Sequence, residues 1–143
     1  AEADIGDVHA AVEKAKNEFG ATIRFAEDLF VDTGESGAFW FGVFGALHDL
    51  CREYSTGKIE GHAQVDTLLP DLLETRGCNR KRPKHADTDV ERLDPQTGKR
   101  VHLRWRLHMR SGAPGETESI YWEPVRQDDE TALLIGWIGR HPD

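Results

Sequence analysis

Two cysteines, one methionine and no apolar run longer than Gly37–Leu47 already exclude a good deal. Cys51 and Cys78 are too few for a disulfide-framework domain and suit a reducing compartment. The apolar run falls well short of the roughly 20 residues a membrane-spanning helix needs, so no membrane role is expected. No basic segment followed by an apolar stretch opens the chain, so the expectation is a cytoplasmic protein without a secretory signal. A start at Ala1 fits either a trimmed initiator methionine or a piece of a longer chain. There is no Cys-x-x-Cys pair, Gly-x-Gly-x-x-Gly turn, Walker loop or Gly-x-Ser-x-Gly elbow. Cys78 with His85 lacks two further zinc ligands. His62 and Asp66, spaced for one helix face, are at most half a metal site. Neither a metal nor a cofactor is expected.

What is present describes an ordinary globular domain. The 143 residues are 38% hydrophobic and 31% charged, enough for one core and one domain spanning 1–143. The net charge of −8 hides an asymmetry. From Arg76 to Arg110 eleven bases face four acids, while the remainder carries 7 bases and 22 acids. Either this basic segment forms a cationic surface, or its charges pair with the acidic remainder inside the fold.

The first half has helical period. Val8, Ala11, Val12, Ala15 and Phe19 recur at three- and four-residue steps between an Asp7 cap and a Gly20 stop. Thr22–Phe25 suits a short strand, and Asp32–Gly37 a turn. The clearest helix runs from about Ala38 to Tyr54, with Trp40, Val43, Phe44, Leu47, Cys51 and Tyr54 in one core-facing stripe and Phe39 and Leu50 beside it. Phe41, off that stripe, is a candidate to face a partner. A short helix is predicted over Thr67–Arg76, with Pro70 near its start and Gly77 beyond its end.

The second half changes to strand period. Thr88–Leu93 alternates, Asp94-Pro95-Gln96-Thr97-Gly98 is a turn, and Lys99–Arg110 reads as one uninterrupted strand. Val101, Leu103, Trp105, Leu107 and Met109 would face the core, with His102, Arg104, Arg106, His108 and Arg110 opposite. Ser119–Glu123 and Thr131–Ile138 are the remaining strands. The expected class is α+β, with N-terminal helices packed on a C-terminal antiparallel meander.

The arginine row sets alternate cations roughly 7 Å apart, near the spacing of phosphates along a nucleic-acid strand. The Arg80-Lys81-Arg82 cluster with Lys84 reads as a second cationic element on a loop. Arg80, Lys81, Arg82, Lys84, Arg104, Arg106 and Arg110 are therefore candidates to bind RNA or DNA phosphates. The alternatives stay open that Glu91, Glu118 or Glu123 neutralise the row, or that it grips an acidic protein partner. The stretch Glu27, Asp28, Asp32 and Glu35 reads as a solvated acidic face, or as one that covers the cationic sheet.

Leu107-His108-Met109-Arg110, Ser119-Ile120-Tyr121-Trp122 and the closing Gly136-Trp137-Ile138-Gly139-Arg140-His141-Pro142 carry a resemblance. From Gly98 onward the chain is similar to an uncharacterised family of small bacterial proteins that end on Gly-His-x-Gly-Arg-His-Leu. Trp137 stands where that family often has His, and Pro142 where it has Leu. Helices before a basic antiparallel sheet also resemble, in topology alone, the RelE/ParE toxins. That second likeness implies a metal-independent ribonuclease with His108, Tyr121, Arg106, Arg140 and His141 as candidate proton-transfer and charge-stabilising groups. The leading expectation is a nucleic-acid-binding protein with a RelE-like centre as its catalytic form. The alternative is a non-catalytic protein-interaction module.

Overall fold

A computed structural model describes residues 7–55, 62–78, 83–85, 90–110, 117–127 and 129–140. Helices α1 (Val8–Glu18), α2 (Gly37–Ser55) and α3 (His62–Thr75) share the first half with strand β1 (Ile23–Asp32). Strands β2 (Pro83–His85), β3 (Glu91–Leu93), β4 (Arg100–His102), β5 (Trp105–Arg110), β6 (Thr117–Gln127) and β7 (Glu130–Arg140) follow. The class is α+β, as expected. A five-stranded sheet runs in the order β1-β7-β6-β5-β2, and β3 and β4 form a separate hairpin.

The meander β5-β6-β7 is antiparallel, but β1 enters the sheet parallel to β7 and makes its edge. The sheet is therefore mixed, not purely antiparallel. A parallel neighbour reached across most of the chain leaves no local sequence signal, because such pairs need long connections.

The helices cover one sheet face. The α2 stripe of Trp40, Val43, Phe44, Leu47 and Cys51, with Leu50 beside it, is fully buried. It packs on Ile23 and Phe25 of β1, Ile120 and Trp122 of β6, and Leu133, Ile135 and Ile138 of β7. Asp7 caps α1 as predicted, its Oδ1 accepting from the Ala10 N–H at 2.9 Å. Phe41 is half-buried, stacking on Phe19 at 5.4 Å with the Lys14 ammonium 5.0 Å from its centroid. Helix α3 starts at His62, earlier than Thr67, so Pro70 lies inside it. The first two turns lack a strong apolar stripe that would have marked them.

The opposite face carries a smaller core of Ala26, Tyr121 and Leu134, closed by Val90 and Leu103 from the hairpin segment. This overturns the uninterrupted strand over Lys99–Arg110. The chain breaks at Leu103-Arg104, so β4 pairs with β3 while β5 pairs with β6. Leu103 joins the smaller core, whereas Trp105 and Leu107 face the helices. Binary alternation continues through the break, so the sequence pattern does not reveal it.

A bulge in β7 shapes this second face. Tyr121 is in register with Trp137 and Trp122 with Ile135, which leaves Gly136 as the extra residue. Trp137 thereby turns to the hairpin side while Ile138 stays in the main core. A Cβ on Gly136 would lie 2.6 Å from Leu103 Cδ1, so only glycine lets the hairpin close down there. The predicted turn at Asp94–Gly98 is present. The Gly98 N–H donates to the Asp94 carbonyl at 2.9 Å, and Gly98 takes φ 72°.

Candidate functional site

Several charged residues, including some of the basic segment, form ion pairs with one another, some buried and some at the surface. Arg24 donates to Asp94 at 2.7 Å, and Asp94 is 1% exposed. Arg76 makes a two-pronged contact with Asp49, with Nε at 3.1 Å and a terminal nitrogen at 2.9 Å from Oδ2. Arg100 reaches Asp28 at 3.7 Å, and Arg140 donates to Asp32 at 2.6 Å. Arg104 is a candidate phosphate ligand, yet its guanidinium clasps the buried Glu123 through Nε at 2.9 Å and through a terminal nitrogen. The Arg104 backbone N–H donates to the same carboxylate at 3.1 Å. Glu123 was one of the three acids expected to neutralise the row. Glu118, another, instead accepts from the Thr33 hydroxyl and, at 2.9 Å, from the Gly34 N–H.

Of the other predicted residues, Arg106, Tyr121 and Arg140 have described side chains. Arg106 is half-buried and in register with Tyr121. Lys84 lies in β2 opposite Arg106, while His108 and Arg110 lie in β5 opposite Ser119 and Thr117; their side chains fall outside what is described. Arg80, Lys81, Arg82 and His141 lie outside the described residues. Tyr121, a candidate proton-transfer group, is fully buried in the smaller core. Its alternation along β6 places it opposite Ile120 and Trp122, and the hairpin segment then covers it. Arg140 is half-exposed at the sheet end, tied to Asp32. Among the described residues no group of three or more metal-ligating side chains occurs.

A different site emerges at the β1 edge. Phe25 pairs with Ile135 and Phe30 with Trp137, so four residues of β1, Ala26–Leu29, have no register partner in β7 against a single extra residue there. This irregular stretch lies in the strand that faces α1. Between them lies an open groove of about 410 Å³, lined by Val12, Phe25, Leu29 and Val31, with His9, Glu13, Lys16 and Glu27 among its polar groups. Its volume falls in the range of binding clefts. Lys16 lies 3.5 Å from Glu13, which leaves Glu27 as the acid of the strand wall.

Beside Glu27, Asp28 accepts from the Leu93 N–H at 2.7 Å. Burial tends to raise its pKa, but the Leu93 and Asp28 N–H groups with Arg92 and Arg100 outweigh this and hold it below the usual carboxylate value. Sequence reading passed over the groove because Glu27-Asp28 interrupts the alternation that begins at Thr22. The acidic pair falls on that irregular stretch, which made the strand look shorter than its ten residues.

Two further features bear on chemistry. His48 Nδ1 lies 2.6 Å from the Thr22 hydroxyl, and its ring stacks on Phe19 at 4.6 Å. Partial burial lowers the His48 pKa, helped by Arg52 and Arg76 and opposed by Asp49. On the hairpin side, Phe30 is 38% exposed and stacks on Trp137 at 4.0 Å, while the Arg92 guanidinium sits 5.6 Å from the Trp137 ring. No protein-family model, curated protein or solved structure matches the chain.

Proposed function

We propose that this domain is a non-catalytic interaction module that receives an extended polypeptide segment in the groove between α1 and β1. The observation that carries the reading is the groove itself: an apolar floor beside an edge strand whose central residues have no register partner in β7. Edge strands bordering grooves of this kind bind peptides by strand addition, with backbone hydrogen bonds giving affinity and alternate side chains entering the groove. The opposing nucleic-acid and acidic-partner readings need uncommitted cations. Arg104, one of the candidate phosphate ligands, is instead engaged by Glu123, and Arg76 and Arg100 of the same basic segment by Asp49 and Asp28.

The test is selection from a displayed library of random octapeptides against the wild-type domain, repeated with Leu29→Asp. Leu29 is half-buried, so a thermal scan of the variant accompanies the selection. Enrichment of peptides with apolar residues at alternate positions, lost with a folded Leu29→Asp domain, supports the reading. No enrichment, or binding indifferent to Leu29→Asp, removes it.

A second reading has its own observation. The Arg92–Trp137–Phe30 stack offers a partly exposed aromatic face beside a cation, which is how single-stranded nucleic acids are held without sequence preference. Fluorescence anisotropy with single-stranded RNA and with duplex DNA, at low and physiological salt, tests it. Salt-sensitive micromolar binding lost in Phe30→Ser supports this reading, and no binding even at low salt sinks it.

A further inference from the structure

The groove shares its strand wall with the β3–β4 hairpin, and the following rests on the interaction reading above. We infer that the hairpin positions the groove. Docked on the face of β1 opposite α1, it holds the middle of that strand in the form that receives a segment. A segment bound in the groove tightens the hairpin in return.

Alternation along β1 sets the two contacts on opposite faces. Phe25, Glu27, Leu29 and Val31 line the groove towards α1. The residues between them meet the hairpin side. Arg24 reaches Asp94 in the hairpin turn at 2.7 Å. Ala26, which also borders the groove, joins the smaller core with Val90 and Leu103. Asp28 accepts from the Leu93 N–H of β3 at 2.7 Å and lies 3.7 Å from Arg100 of β4. Phe30 stacks on Trp137, whose ring also meets the Arg92 guanidinium of β3.

These contacts replace a missing ladder. Ala26–Leu29 have no register partner in β7, so the neighbouring strand does not fix their backbone. On one face the hairpin holds Ala26 and Asp28, and on the other Leu29 packs against the main core.

The hairpin is tied to the rest loosely enough to leave as a unit. Among the described residues β3 and β4 pair only with each other, and no backbone ladder joins them to the five-stranded sheet. A two-stranded hairpin is marginal alone, so its order depends on docking. Its attachments are the contacts above, the Arg92 bond to the Gly136 carbonyl at 3.0 Å and the smaller core. Units held in this way open locally while the remainder stays folded. With the hairpin docked, β1 is preorganised for an added strand; with it undocked, ordering the strand's middle costs affinity. Such coupling acts equally in both directions.

Amide hydrogen exchange of the wild-type domain, free and saturated with a peptide from the library selection, is the test. The reporters are the Leu93 amide and those of Asp94 and Leu103, which donate to the Lys99 and Val90 carbonyls at 2.9 and 2.8 Å. In the free domain they are expected to exchange faster than the interior of α2, and to slow roughly threefold or more when peptide binds. The docked form predominates throughout, so the change appears in exchange rates and not in chemical shifts. Asp94→Asn loosens the hairpin at a residue that does not line the groove. With folding checked by a thermal scan, it is expected to bind the peptide roughly threefold to tenfold more weakly. Hairpin amides that exchange together with α2, or that open separately yet ignore the peptide, overturn the inference and leave the groove reading intact. Undiminished affinity in Asp94→Asn, with hairpin exchange accelerated, does the same. Failure to recover any peptide defeats the groove reading and this inference with it.

Discussion

Replacing Asp94 by Asn tests whether the charge asymmetry of this chain is consumed internally. The Asp94 carboxylate is 1% exposed and the Arg24 side chain 17%, with 2.7 Å between them. Breaking a buried pair by removing one partner costs about 3–5 kcal/mol, because the other charge stays behind without compensation. Arg24 keeps some contact with water, which lowers the expectation to about 2–3 kcal/mol. Asn preserves the carbonyl that accepts from the Gln96 N–H at 3.0 Å, so the turn survives. Asp94→Ala loses that bond too and costs roughly 1 kcal/mol more. For a chain of this size the Asn variant is expected to melt roughly 6–12 °C lower. The assay is urea unfolding of Asp94→Asn, Arg24→Met and the double variant, followed by tryptophan fluorescence. A coupling energy of about 1.5–3 kcal/mol is expected. Single variants that each cost under about 0.5 kcal/mol and add in the double would refute the reasoning, and with it the claim that the hairpin is pinned to β1 by this pair.

Other consequences follow from the same structure. Gly136→Val should cost at least about 2–3 kcal/mol, since the new side chain collides with Leu103 and Arg92 where the hairpin closes; an unchanged urea midpoint would contradict the bulge. His48 has a lowered pKa in the fold, so the unfolded chain binds the proton more readily and stability falls as pH drops below about 6.5. Removing the imidazole in His48→Gln should flatten stability between pH 7 and 5 relative to wild type, and an unaltered slope would show that this histidine is not responsible. Burial raises the Cys51 thiol to about 11 and also raises Cys78, so both should resist alkylation in the native domain and react on unfolding. Rapid native labelling would contradict their burial.

Much of the fold was legible because periodicity reports which face is buried. The α2 stripe from Trp40 to Cys51, the Asp7 cap and the Asp94–Gly98 turn all follow from local chemistry. What escaped is non-local. Nothing between residues 99 and 110 says that Leu103 and Trp105 serve opposite faces of a sheet, because alternation is the same on either side of the break. The parallel placement of β1 beside β7 brings together residues more than a hundred positions apart, as Asp32 and Arg140 show. The charge tally was accurate, but it left pairing and an open cationic face as equals. Only the contacts of Arg24, Arg100 and Arg104 decide for pairing at those positions. The groove was invisible for a related reason: its walls come from α1 and from a strand whose irregular middle mimics a loop.

The most direct test of the central claim is a ¹⁵N–¹H correlation titration of the domain with a peptide recovered from the library selection. Amide shifts confined to His9–Lys16 of α1 and Phe25–Val31 of β1 are the predicted result, with new hydrogen-exchange protection at Ala26–Leu29. Shifts centred on Arg104 and Arg106 of the β4–β5 region, with α1 and β1 unmoved, would contradict it and place the binding surface on the sheet's opposite face.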